Sequence, residues 1–190
     1  GYPIWTGREK TTSYADADYY VTEESTVPKW QGGFGTKVRF YGFDLSVNCT
    51  YQLGGKTLDA SYASFMASPS SSLGGRNFHK DLLDAWTPET STSNRPRFQY
   101  GDLYSSGTST RFLTSSSYLN INNINFGYTF PTSITKKLML NSLRLYVACE
   151  NVVYFSARKG FDPRLSYSSA SNSTTYSPMR TISGGLTVQF

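Results

Sequence analysis

Few residues in this chain of 190 have the types and spacing that covalent chemistry needs. The one histidine, His79, stands in NFHKDLLDAW beside Lys80, Asp81 and Asp84. A histidine among carboxylates could act as a general base, but a triad also needs a nucleophile that the base orients. The spacing gives no such cue, and His79 reads as a polar residue of a short loop helix. Cys49 and Cys149 could pair only if their strands were neighbours, and a third strand is expected between them. Both read as small apolar residues. The glycines Gly32, Gly33 and Gly35 lack the Lys-Ser/Thr that a phosphate loop requires, and on a strand they admit close packing instead. No catalytic residue, cofactor site or metal site is expected. More informative is a polar set at alternate positions: Lys37, Arg39, Asp44, Asn48, Gln52, Arg144 and Glu150. Such groups line water or hydrogen-bond a second polar surface.

The elements that must position this set are strands. From Trp30 to Phe40, one face carries Trp30, Gly32, Phe34, Thr36, Val38 and Phe40, and Lys37 and Arg39 lie on the other. After Tyr41-Gly42 the alternation resumes with Phe43, Leu45, Val47, Cys49, Tyr51 and Leu53. Residues that flank a two-residue hairpin loop pair and share a face, and Phe40 and Phe43 do so. A third strand is expected from about Tyr118 to Phe130. Its apolar phase shifts at Asn122-Asn123, where a β-bulge would restore one face. A fourth runs from Ser142 to Phe155, and a fifth, RTISGGLTVQF, closes the sequence with Ile182, Leu186, Val188 and Phe190 in one phase.

The connections alternate in length. Residues 41–42 and 131–141 are short, the latter with one helical turn expected after Pro131. Residues 57–117 and 156–179 are long, and two short helices are expected in the first, Leu58 to Ala67 and Asn77 to Trp86. Aromatics gather at the short-turn ends: Phe40, Tyr41, Phe43, Tyr128, Phe130 and Phe190. Short turns, long loops and an aromatic girdle are the pattern of a transmembrane β-barrel. No run of about 18 apolar residues is present, so a membrane helix is not expected. The net charge of +5 is scattered rather than gathered into a stripe, and no nucleic acid is implied. The start, GYPIWTGREK, has no apolar signal core, which implies a removed leader or a longer polypeptide. The competing reading is a soluble all-β carbohydrate-binding module, which would bury one face of its sheet in a shared core.

The stretches GYPIW, PKWQGGFGTKVRFYGFDLSVNCTYQLGGK, DAWTPE, SSSYLNINNINFGYTFP, LRLYVACENVVYF, GFDPRLS and SPMRTISGGLTVQF, in this order and spacing, resemble the C-terminal part of a SusC/RagA-type TonB-dependent outer-membrane transporter of Bacteroidetes. The resemblance implies an all-β fold: about five antiparallel strands of a 22-stranded barrel around a plug, with the plug and most of the barrel absent. Five strands cannot close such a barrel, and an open membrane sheet has unsatisfied edges. It also implies extracellular loops at 1–29, 57–117 and 156–179, hairpins at 30–56 and 118–155, and a terminal strand at 180–190. The implied function is nutrient import, of glycan or peptide, with no enzyme activity. The implied partners are the rest of the transporter, a SusD-like surface lipoprotein, TonB through the missing N-terminal parts, and outer-membrane lipid. Lys37, Arg39, Asp44 and Arg144 are expected at the plug, with substrate passage as the alternative, and Glu150 in the lumen. Trp86, Tyr100, Tyr104, Tyr167 and Tyr176 are expected in loops that meet substrate or partner. Ile182, Leu186, Val188 and Phe190 are expected to form a C-terminal insertion signal. In such a bacterial barrel the Asn48-Cys49-Thr50 and Asn172-Ser173-Thr174 sequons carry no meaning. One departure is Arg164, where the family often has an acidic residue. Another is the lack of an Asp/Asn-rich calcium-type loop in residues 1–29, so no metal is assigned.

Overall fold

The computed structural model describes residues 1–6, 9–71, 75–102, 105, 107, 109–164, 171–172 and 177–190. Among them the strands are β1 (Trp5–Thr6), β2 (Lys10–Thr11), β3 (Trp30–Phe40), β4 (Phe43–Leu53), β5 (Lys56–Asp59), β6 (Leu113–Ser115), β7 (Tyr118–Thr129), β8 (Ser142–Ser156), β9 (Ser171–Asn172) and β10 (Thr181–Gln189). Five of them form one antiparallel sheet in the order β10-β8-β7-β4-β3. This is the expected all-β class and the expected strand set.

The β3–β4 turn is tight because both of its residues take left-handed backbone, Tyr41 at φ 45° and Gly42 at φ 87°. That is the turn whose twist matches the flanking strands. Gly42 is needed twice over, since a Cβ there would also stand 2.7 Å from the Thr129 carbonyl oxygen. Phe40 pairs with Phe43, as the two-residue loop requires. Across β4 and β7 the pairs are Phe43 with Tyr128, Leu45 with Phe126 and Val47 with Ile124, then Cys49 with Ile121. The register shift at Asn122 is the expected bulge, and it keeps Ile121 and Leu119 on the apolar face. Its side chain is held by hydrogen bonds from Thr50 Oγ1 at 3.0 Å and from the Asn120 amide. A second irregularity, not foreseen, lies opposite in β8. Asn151 has φ 50°, so that Ile121 meets Val153 while Asn123 meets Glu150.

This sheet belongs to a unit of Thr26–Lys56, Ser115–Ser168 and Thr175–Phe190. Its apolar face is uncovered. Phe34, Val38, Leu45, Phe126, Leu145, Val147 and Leu186 are all exposed, with Val147 at 51 %. No apolar side chain of the five strands is among the buried ones. A soluble sandwich would bury such a face.

The second unit comprises Gly1–Ser25, Thr57–Thr114 and Ser169–Thr174. It has its own small core, with Met66, Ala85 and Phe112 buried. The expected helix over Leu58 to Ala67 is shorter, α1 (Ala60–Phe65). Asp59 accepts a hydrogen bond from the Tyr62 N–H at 2.9 Å and so caps the helix, and Leu58 lies in β5. Over Asn77 to Trp86, only Lys80–Asp84 is helical, as a 3-10 segment, because Ala85 is already extended. Strands β5, β6 and β9 form a small sheet that the sequence did not announce. They are four residues long or fewer, too short for a period to show. After Pro131 the expected turn is present as α2 (Thr132–Thr135), continued by a 3-10 turn to Leu138.

Candidate functional site

The polar face of the sheet carries a connected charge cluster. Asp44 on β4 and Arg144 on β8 are separated by β7, yet their side chains meet. Arg144 Nε donates to Asp44 Oδ1 at 2.9 Å and Nη2 to Oδ2 at 2.6 Å, with a third bond to Asn125 Oδ1 at 3.1 Å. The guanidinium crosses the intervening strand at Gly127, where an added Cβ would lie 2.8 Å from its Cζ and Nε. Any larger residue at 127 would evict it. The planar fork of Arg matches a carboxylate as Lys would not.

Arg39 sits opposite Asp44 and Lys37 opposite Ser46 on the exposed edge strand β3. These residues border a polar recess of about 690 Å³, with Asn125, Thr129 and Arg144 on its far side. Four of the five expected polar residues are therefore brought together. Glu150 is not among them. It is exposed and pairs with Thr181 and Asn123, six positions along β8 from Arg144, about 20 Å away. Gly32 and Gly35 do admit a close approach, that of Tyr51 and Asn48 from the adjacent strand.

The apolar face has two aromatic rows. The expected one contains Phe40 and Tyr41 with ring centroids 4.3 Å apart, Phe43 and Tyr128 at 4.6 Å, and Tyr128 and Phe130 at 5.1 Å. The second was missed: Trp30, Tyr51 and Phe155 lie at the other end, joined through the pairs Trp30 with Leu53, Tyr51 with Leu119 and Leu119 with Phe155. The signal was present in the eight-residue interval from Phe43 to Tyr51, about 26 Å along a strand. Ile182, Leu186 and Val188 continue the same face opposite Cys149, Leu145 and Leu143. Phe190, past the end of β10, is 89 % exposed. Cys49 and Cys149 are free thiols on this face, with β7 between their strands.

In the second unit His79 has a structural task. Its Nδ1 accepts from the Asp81 N–H at 3.2 Å at the start of the 3-10 segment. Asp81 in turn accepts from Tyr62 Oη at 2.7 Å and from Arg95 Nη2 at 3.1 Å. These bonds, the Tyr62 hydroxyl first, hold the Asp81 carboxyl below its ordinary value against the opposing effect of burial. Trp86 is half-buried and Tyr100 exposed, and neither lines the recess beside Trp5. Tyr104, Tyr167 and Tyr176, and residues 173–174 of the second sequon, lie outside the described residues. What sequence reasoning missed is an aromatic group near the start. Trp5, Tyr14 and Tyr19 stack edge-on, at 4.9 and 6.5 Å, beside a recess of about 520 Å³. The dense YADADYY stretch was its only mark.

Arg164 also has an explanation. It forks onto Asp162, with Nε 2.8 Å from Oδ1 and Nη2 2.5 Å from Oδ2, and its guanidinium lies 4.9 Å from the centre of the Tyr154 ring. Burial pushes the Asp162 carboxyl up, but the Arg164 side chain and N–H outweigh it and hold it below the usual range.

The fold and face pattern define a segment of a large β-barrel, and the comparisons agree. No protein-family model matches the chain. It is 26 % identical over 184 residues to TonB-dependent receptor P3 of Formosa agariphila, which covers 92 % of this chain and 17 % of that receptor. It is 26 % identical over 145 residues to TonB-dependent receptor P39 of the same organism, with 70 % and 13 % covered. Among solved structures it superposes on the RagAB peptide importer in the open-open state with a TM-score of 0.78 and 21 % identity, over 98 % of this chain and 20 % of that one. The closed-closed state gives 0.77 and 22 %, over 96 % and 19 %. The chain thus spans less than a fifth of the length of the receptors it matches. Its homologues are TonB-dependent receptors, in keeping with the SusC/RagA-type resemblance, and its fold is that of part of their barrel.

Proposed function

We propose that the chain supplies barrel wall and surface loops to an outer-membrane TonB-dependent nutrient importer. The observation that carries this is the exposed apolar face between two aromatic rows. The steps from Phe43 to Tyr51 and from Phe40 to Trp30 are about 26 and 33 Å along the strand. At the usual tilt of about 40° this is roughly 20–25 Å of height, comparable with the apolar band that an outer-membrane barrel presents to lipid. On this reading Phe34, Val38, Val47, Val147, Ile182, Leu186, Val188 and Phe190 face lipid, and Lys37, Arg39, Asp44, Arg144 and Glu150 face the lumen. The turns 41–42 and 131–141 are periplasmic, and 1–29, 57–117 and 156–179 are extracellular. The cargo is an oligomeric nutrient, peptide or glycan. The partners are a SusD-like lipoprotein outside and TonB, reached through the plug-bearing part of the polypeptide, inside. The similarity to the receptors and to a peptide importer supports this assignment.

Topology tests it directly. In the full-length polypeptide with Cys49 and Cys149 replaced by Ala, a cysteine is placed at Leu83 or at Met139. Both positions are about 90 % exposed. An impermeant maleimide on intact cells is expected to label Leu83→Cys, and to label Met139→Cys only after lysis. Labelling of Met139→Cys on intact cells would reverse the orientation, and recovery of the protein in the soluble fraction would overturn the proposal.

A further inference from the structure

The recess beside Trp5 is lined only by residues of the second unit. Its volume of about 520 Å³ is within the range of small-molecule sites. Trp5, Tyr14, Tyr19 and Tyr20 line it from the start of the chain, and Ser109, Thr110 and Arg111 from the segment before β6. Tyr19 is 81 % exposed, yet its ring is held. It stands at 80° to the ring of Tyr14, and its hydroxyl donates to Tyr14 Oη at 3.1 Å. Trp5 braces Tyr14 edge-on in turn. An exposed ring fixed in this way is a flat apolar plate in water.

The polar lining has a distinct composition. The hydroxyls of Thr6, Thr22, Ser109 and Thr110 make no hydrogen bond among the described residues. Asp18 and Arg111 are the only charged residues in the described lining, so the recess has no net charge. Both are exposed. Arg111 Nη1 donates to the Ser105 carbonyl oxygen at 3.2 Å, and the rest of its planar fork is uncommitted to any described carboxylate. A planar donor fork and a planar carboxylate each match two adjacent hydroxyls at once. Single hydroxyls serve as donor or acceptor as needed. The C–H face of a pyranose ring lies flat on an aromatic plate. A peptide taken up without regard to sequence is instead held by its main chain along a strand edge, and side-chain hydroxyls around a plate supply no such ladder.

We propose that this recess binds a neutral oligosaccharide, with one pyranose ring stacked on Tyr19 and its hydroxyls held by Arg111, Asp18 and the free Thr and Ser hydroxyls. The inference rests on the importer reading above and names the cargo as glycan. Tyr19 gives the site its affinity for a sugar face, and the Asp18 and Arg111 pair sets which hydroxyl arrangement fits.

Equilibrium dialysis tests this. The full-length protein, purified in detergent, is dialysed against a pool of maltotetraose, cellotetraose, laminaritetraose, mannotetraose and xylotetraose, with tetraalanine as the peptide probe. Retained molecules are identified by mass spectrometry. At least one tetrasaccharide is expected to be retained. Tyr19→Ala is expected to weaken its binding about tenfold, the scale of one lost aromatic contact. Tyr19→Phe keeps the plate and is expected to keep most of the affinity. Arg111→Gln is expected to weaken binding as well, and decides the matter alone if Tyr19→Ala does not assemble. Retention of no tetrasaccharide, retention unchanged in Tyr19→Ala or Arg111→Gln, a loss in Tyr19→Phe as large as in Tyr19→Ala, or Tyr19-dependent retention of tetraalanine would overturn the inference. Failure of the importer reading is distinguishable, because it appears as the wrong surface-labelling pattern at Leu83 and Met139 and not in the dialysis.

Discussion

Arg144 reaches Asp44 across the strand between them, a hundred residues back in the sequence, in a two-pronged contact of 2.9 and 2.6 Å. The contact requires β4, β7 and β8 to be in correct register at once. A slip of one residue in β8 would put Arg144 on the opposite face. The fork is therefore a register lock as well as an ion pair.

Removing either partner strands the other beside a low-dielectric wall. Asp44→Asn and Arg144→Gln should each lower the stability of the assembled barrel by about 1.5–3 kcal/mol, the scale for hydrogen bonds to charged groups. The double variant should cost clearly less than the sum of the two. Gly127→Val should resemble Arg144→Gln and add little to it, because it acts by displacing the same guanidinium. Urea titration of the heat-modifiable folded band of the full-length protein measures all four, and full additivity of Gly127→Val with Arg144→Gln would refute the lock.

The two faces should respond oppositely to charge. Val147→Arg, in the middle of the apolar face, is expected to cost about 2–4 kcal/mol if that face meets lipid. Asn48→Arg, on the polar face, should be milder. Folded protein in outer-membrane fractions decides the matter, and a lower yield for Asn48→Arg than for Val147→Arg would invert the assignment.

The bulge can be tested by length. Deleting Asn122 would turn Ile121 and Leu119 to the polar face, so assembly should be lost. Asn122→Leu keeps the length and only leaves Thr50 and Asn120 without their acceptor, at a cost of about 1–3 kcal/mol. If the deletion assembles as well as Asn122→Leu does, the extra residue is not what preserves the face.

Asp162 gives a pH dependence outside the strands. Its folded-state pKa is depressed by Arg164. Its contribution is therefore fully present above the unfolded value of about 3.9 and is lost as pH falls through the folded value. Stability should be flat from pH 7 to 5 on this account and should fall in more acid solution. Asp162→Asn should be less stable at pH 7 and should lose part of the acid-side slope. Urea midpoints at pH 7, 5 and 3 measure both, and an unchanged slope in Asp162→Asn would remove Asp162 from the titration.

Strands of eleven residues with strict alternation were legible in the sequence because each position declares its face. The phase slip at Asn122-Asn123 was visible for the same reason. The irregularity at Asn151 was not, because it leaves Cys149, Val153 and Phe155 in one phase and marks itself only by a left-handed backbone. Lys37, Arg39, Asp44 and Arg144 were legible as members of one face. Their meeting was not, since it depends on Gly127, a residue that carries no chemistry and only steps aside. Loop elements were poorly legible throughout. Asp59 and His79 act there through single capping bonds, and strands of two to four residues have no period to read.

Strands β3 and β10 end the sheet with rows of peptide groups facing outward. Along β3 that row is eleven residues long, free of proline, and backed by one apolar face. Released alone into water, such an edge is a seed. A second copy of the same strand can pair on it, and each addition regenerates the edge. Lys37 and Arg39 are the only charges along that strand that blunt the templating. For the segment by itself, pairing on that edge by a strand of the same polypeptide would not depend on concentration, whereas pairing by a strand of another copy would. On this account a higher concentration of the isolated segment favours pairing between copies.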